Sequence, residues 1–109
     1  MNKKVTINFK NPLLKKSFDE LSEEDPLKKR IRRASEGIKQ NPLGYGQPIS
    51  KNKIPKIYLG AGFTNAFWVD LSKSWRLIYS LTSVSEIEIL AIILEWFTSH
   101  KEYESRFKY

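Results

Sequence analysis

The 109-residue chain contains no cysteine and one histidine. Without thiols there is no disulfide framework, no thiolate zinc site and no cysteine nucleophile. The carboxylates show no metal-ligand spacing, so no metal motif can be assembled from them and a lone histidine. Glycine-rich phosphate loops are also missing, with no GxGxxG, Walker or GxSxG pattern. No stretch approaches the roughly 20 apolar residues of a membrane span, and MNKKVTINFK lacks the apolar core of a signal peptide. The expectations are a cytoplasmic location, no membrane partner, and chemistry that uses neither a metal nor a small-molecule cofactor. With only five glycines and five prolines against 40% hydrophobic residues, a fibrous or disordered chain is excluded. The length suits one domain with one core, spanning residues 1–109.

What the chain does have is positive charge, and it is unevenly placed. Residues 1–60 hold 14 Lys and Arg against 6 Asp and Glu, a balance of +8, whereas residues 61–109 hold 5 against 6. The basic surface therefore belongs to the first half. It points to a phosphate backbone or an acidic protein segment as partner, because clustered cations gain affinity by displacing condensed counterions.

Periodicity predicts an α+β order. KVTINF (4–9) alternates Val5, Ile7 and Phe9 with polar residues, as a half-buried strand does. Asn11-Pro12 predicts a helix start running to about Leu21, and Asp25-Pro26 a second running to Gln40. In the second helix Leu27, Ile31, Ala34 and Ile38 share one face. Asn41 to Pro48 is a turn-rich connector. Lys56 to Leu59 is expected to be a short strand, followed by strands over Ala66–Leu71 and Trp75–Leu81, with Ser72-Lys73-Ser74 as the turn between them. Along WRLIYSL, Trp75, Leu77, Tyr79 and Leu81 face one way and Arg76, Ile78 and Ser80 the other. EIEILAIILEW (86–96) lacks clean alternation, yet its isoleucines favour a strand buried on both faces. Thr98-Ser99 predicts the cap of a terminal helix over His100–Phe107. The expected fold is an N-terminal strand and a two-helix hairpin packed on a small antiparallel meander, closed by a short C-terminal helix.

KKRIRR (28–33) places five cations in six positions, with only Glu36 as counter-charge on its C-terminal side. It is either the solvated face of an amphipathic helix or a ridge, carrying Arg30 and Arg33, that awaits an external anion.

NAFWVDLSKSWRLIYSL and EWFTSHKEYESRF together resemble the RelE/ParE superfamily of type II toxins, and the inferred order of elements is similar to that family's architecture. WRLIYSL is similar to its strand motif with a central arginine, and SHKEY to the C-terminal histidine motif of YafQ-like and HigB-like members. The resemblance implies ribosome-dependent, metal-independent cleavage of messenger RNA by attack of the ribose 2′-hydroxyl on the adjacent phosphate, with a cognate antitoxin as protein partner. Such a reaction requires a base, an acid for the leaving 5′-oxygen, and cations for the phosphoryl oxygens. Histidine titrates nearest neutrality, which makes His100 the acid/base candidate. Arg76 offers a planar fork suited to phosphate oxygens. Tyr103, three residues beyond His100 on the same helical face, would stack on a base, assist proton transfer or anchor the helix. Lys51, Lys53, Lys56 and Lys73, with Arg30 and Arg33, are the candidate RNA-binding cations. A second proton-transfer group is not singled out among Tyr103, a lysine of the Lys51–Lys56 segment and Tyr109. Set against these roles, His100 would merely open a helix, Arg76 would pair with Asp70 across a hairpin, and Trp68, Trp75 and Trp96 would be core residues. The other function class is a ParE-like, non-enzymatic inhibitor of DNA gyrase; a third is a basic binding module without toxicity.

Overall fold

A computed structural model describes residues 3–107, so Tyr109 lies outside the described residues. Five strands form one mixed sheet in the order β1-β5-β4-β3-β2. They are β1 (Lys4–Phe9), β2 (Gln47–Pro48), β3 (Phe67–Asp70), β4 (Arg76–Ser85) and β5 (Glu88–Phe97). The helices are α1 (Pro12–Asp19), α2 (Pro26–Gln40), α3 (Lys56–Gly60) and α4 (His100–Phe107). Among the described residues no helix is long and apolar enough to cross a membrane.

The α+β class and the β3-β4-β5 meander agree with the sequence, but the sheet is not wholly antiparallel. β1 joins it in parallel with β5, in register from Lys4 opposite Glu88 to Phe9 opposite Ile93. β5 thus lies inside the sheet with a core on each face, Ala91 and Ile93 in one and Leu94 and Phe97 in the other, which is why its sequence is an apolar run and not an alternation. The expected strand over Lys56–Leu59 is instead helix α3. Pro55 holds φ −55° at its N-cap, and the turn buries Tyr58 while leaving Ile57 and Leu59 exposed. With no facing strand to pair with, the β-leaning residues follow the tertiary packing. β2, two residues at the end of the connector, pairs with β3 and is not marked by the sequence.

The expected caps form. The Asn11 and Asp25 side chains accept from Leu14 N and Leu27 N, both at 2.9 Å, and a proline opens each helix. α1 stops at Asp19, short of Leu21. Leu27, Ile31, Ala34 and Ile38 are buried, as their spacing requires. They pack with Phe67, Val69, Leu77, Tyr79, Ala91 and Ile93 on one face of the sheet, where Trp75 and Trp96 border the core. The other face carries a second core: Ile54 and Tyr58, then Ile78, Leu94 and Phe97, then Tyr103 and Phe107 of α4.

A bulge adjusts β5 beneath α4. Ile78 pairs with Glu95, but Tyr79 pairs with Ile93, so Leu94 is an extra residue. Leu94 and Glu95 consequently both serve the α4 side, Leu94 in the core and Glu95 in bonds to Tyr58 and Arg106.

Candidate active site

Arg76 opens β4 directly opposite Asp70 of β3, and its side chain rises on the α4 side. The guanidinium lies 4.2 Å from the Trp68 ring centroid and 4.5 Å from that of Tyr103. Two aromatic faces thus hold the planar cation. Its Nε donates to Asp70 Oδ1 at 3.2 Å, and the side chain keeps 26% exposure. The pairing with Asp70 anticipated across the hairpin is real. It engages one edge, and Nη1 and Nη2 have no protein acceptor among the described residues. A guanidinium held beside two rings still offers its Nη1 and Nη2 groups to a ligand, which suits phosphate or carboxylate oxygens.

His100 is the first residue of α4. Ser99 Oγ caps the helix by accepting from Glu102 N at 3.1 Å, so the expected helix start brings the imidazole to the surface. Its Nε2 lies 2.7 Å from Glu104 Oε1, one turn along. The carboxylate thus lies at ion-pair distance from the ring. His100 and Tyr103 have near-parallel rings, 19° apart with centroids separated by 6.4 Å. Tyr103 itself is only 2% exposed, wedged against Phe97 and stacked 4.7 Å from Phe107. It therefore sits between the two candidates, backing Arg76 and bordering His100, and anchors α4 to the core.

Of the four candidate lysines, two meet at one cleft. Lys51 and Lys53 are exposed on a short 3-10 turn (Lys51–Lys53), Lys56 begins α3, and Lys73 projects from the β3–β4 turn three residues before Arg76. Lys53 and Lys56 line a cleft of about 600 Å³ whose opposite wall is Ser105, Arg106 and Phe107. On the other side of the sheet Arg30 and Arg33 border a smaller cleft of about 250 Å³ with Tyr45 and Asp70, where Arg30 donates to Leu71 O at 2.7 Å.

The basic run on α2 is not short of counter-charge, as its C-terminal flank suggests. Glu23, just before the helix, accepts from Arg32 at 3.1 Å and pairs with Lys28 at 3.2 Å, and Lys29 meets Glu24 at 3.6 Å. Lys28 is 5% exposed and also donates to the Asp19 and Leu21 carbonyls. Hydrogen bonds from Arg32 and Lys28 hold the Glu23 carboxyl below its ordinary range. The counter-ions come from the preceding turn, a contact between neighbouring segments that spacing within the helix does not reveal.

One polar cluster is absent from the sequence reading. Glu95 accepts from Arg106 Nε at 2.8 Å and Nη2 at 3.3 Å, and from the Tyr58 hydroxyl. Burial, then the bond to Glu95, pushes the Tyr58 hydroxyl well above its ordinary value. A glutamate inside the run EIEILAIILEW is the signal that could have revealed it, since a carboxylate amid buried aliphatics requires a partner. Comparison with protein-family models, with curated proteins and with solved structures returned no match.

Proposed function

We propose that the chain is a RelE-like type II toxin: a metal-independent endonuclease that cuts messenger RNA on the ribosome and is held silent by a cognate antitoxin. The observation that carries this reading is the Arg76 guanidinium, clamped between Trp68 and Tyr103 with its N–H edge open, beside the helix whose first residue is His100. A base removes the 2′-hydroxyl proton as the O2′–P bond forms, and the P–O5′ bond breaks as the 5′-oxygen is protonated. The products are a 2′,3′-cyclic phosphate and a 5′-hydroxyl. His100 exchanges the proton, with the Glu104 carboxylate beside its ring. Arg76 meets the charge that develops on the phosphoryl oxygens, and its two rings hold it in place before the substrate arrives. Tyr103 couples the two groups. Lys73 is near enough in sequence to steer the same phosphate, and the cations of the first half draw the polyanion.

The test is translation-dependent messenger cleavage by His100→Ala and Arg76→Ala proteins whose circular dichroism matches the parent. Each is expected to lose about 10²-fold or more in rate. Variants as toxic as the parent, with DNA supercoiling blocked, would replace this reading with gyrase inhibition.

A further inference from the structure

A cleft on the α4 face is unused by the chemistry above. Its volume is about 600 Å³, within the range of small-molecule sites. One wall is Asn52, Lys53, Ile54, Pro55, Lys56 and Ile57, and the other is the last turn of α4, Ser105–Phe107. The lining divides by chemistry. Ile54, Pro55, Ile57 and the rim of Phe107 form an apolar slot, and Ile57 is 58% exposed within it. Lys53 and Lys56 supply two cations beside the Glu95-paired Arg106, and no carboxylate lines this cleft among the described residues. The neighbouring cleft on the far side of Arg106 has Lys101 and Arg106 balanced by Glu95 and Glu102. Of these two neighbouring clefts, the first has the cation excess, from Lys53 and Lys56. Glu95 holds Arg106 by Nε and Nη2, and Nη1 has no protein acceptor among the described residues.

We propose that this cleft is a nucleotide subsite, taking one flat base in the apolar slot and its phosphate on Lys53, Lys56 and the Arg106 edge. A cationic groove beside an apolar or aromatic platform is how single strands are held without sequence readout. An acidic peptide would use the cations but leaves the slot without a flat partner. The subsite rests on the endonuclease reading, because α4 joins it to the candidate active site. His100 and Arg106 are six residues apart on one helix, a rise of roughly 9 Å, and the Tyr103 ring, which stacks on Phe107, lies between them in the chain. A strand cut at the first turn of α4 would seat a flanking nucleotide at the last.

The test is an amide chemical-shift titration of the full chain with each of the four ribonucleoside 5′-monophosphates and, separately, with inorganic phosphate. Expected are shifts at Asn52–Ile57 and Ser105–Phe107, mononucleotide affinity about tenfold above that of phosphate, and a further loss of about tenfold in Lys53→Ala or Lys56→Ala, as for one charge-assisted contact. With an oligoribonucleotide, each lysine variant is expected to flatten the salt dependence of log affinity by about 0.7 and to raise KM while kcat holds. Equal affinity for phosphate and mononucleotide, or shifts elsewhere, would overturn the subsite as a base-binding cleft. Mononucleotides seated there with no strand-length dependence of KM would assign it to free nucleotides and sever it from the RNA path. Loss of cleavage in the lysine variants through kcat alone would also overturn it. Failure of the endonuclease reading looks different: the shifts persist, and Arg76→Ala and His100→Ala change no RNA chain.

Discussion

At the scale of single residues, Arg76 shows how a side chain with an evident structural partner remains available for function. Asp70 occupies Nε only, and the Trp68 and Tyr103 rings lie within cation–π distance. Charge alone would not reproduce this arrangement. Arg76→Lys is expected to cut messenger no better than Arg76→Ala, because an ammonium has neither the planar surface for two rings nor the paired N–H edge; cleavage rates of the two variants side by side decide it. Tyr79 illustrates the opposite case, a polar group wholly absorbed by structure. Its hydroxyl donates to Pro42 O at 2.7 Å and accepts from Gly46 N at 3.0 Å, tying the connector to β4, and burial raises the hydroxyl above its ordinary value. Gly46 is part of the fit, since a Cβ there would come within 2.7 Å of the Tyr79 ring. Tyr79→Phe leaves two main-chain groups without that partner and is expected to cost about 1–3 kcal/mol in urea unfolding, with messenger cleavage retained.

At the scale of elements, the basic helix α2 is stabilised through its neighbour. Glu23 has a folded-state value depressed from its ordinary 4.5 by the bonds from Arg32 and Lys28. A depressed carboxylate contributes stability that is present above the unfolded value and lost as pH falls through the folded one. Glu23→Gln is therefore expected to be less stable than the parent at neutral pH. The gap should close on acidification below the carboxylate range, as followed by thermal unfolding across pH. Much of this level was legible in the sequence. Both N-caps, the buried face of α2, the β3-β4-β5 meander and the start of α4 at His100 follow from residue types at short spacing. What was hidden depends on partners distant in the chain. The parallel seat of β1 beside β5, the helical state of Lys56–Gly60 and the bulge at Leu94 are set by packing across the sheet and not by local preference. The candidate site divides the same way. Arg76 and His100 were visible as residue types, whereas the Trp68–Arg76–Tyr103 sandwich and the Glu95 cluster needed three elements to meet.

At the scale of the whole molecule, the two cores lie on opposite faces of one sheet and share β3, β4 and β5. Ile78 belongs to one core and its neighbours Leu77 and Tyr79 to the other, so neither core can loosen without disturbing the strand that serves both. A single cooperative transition is expected. Tryptophan fluorescence, which samples Trp68 on one face and Trp75 and Trp96 on the other, should coincide with far-ultraviolet circular dichroism; separate midpoints would show that the faces unfold independently. The parallel pairing of β1 with β5 also sets an order of events during synthesis. β1 leaves the ribosome long before β5 exists, and Val5, Ile7 and Phe9 must wait through the making of α1, α2 and α3 and of β2, β3 and β4. The helix bearing His100 is made later still. A nascent chain thus completes its sheet with β5 before α4 exists, so the Arg76–Tyr103 contact is added to a sheet that is already whole.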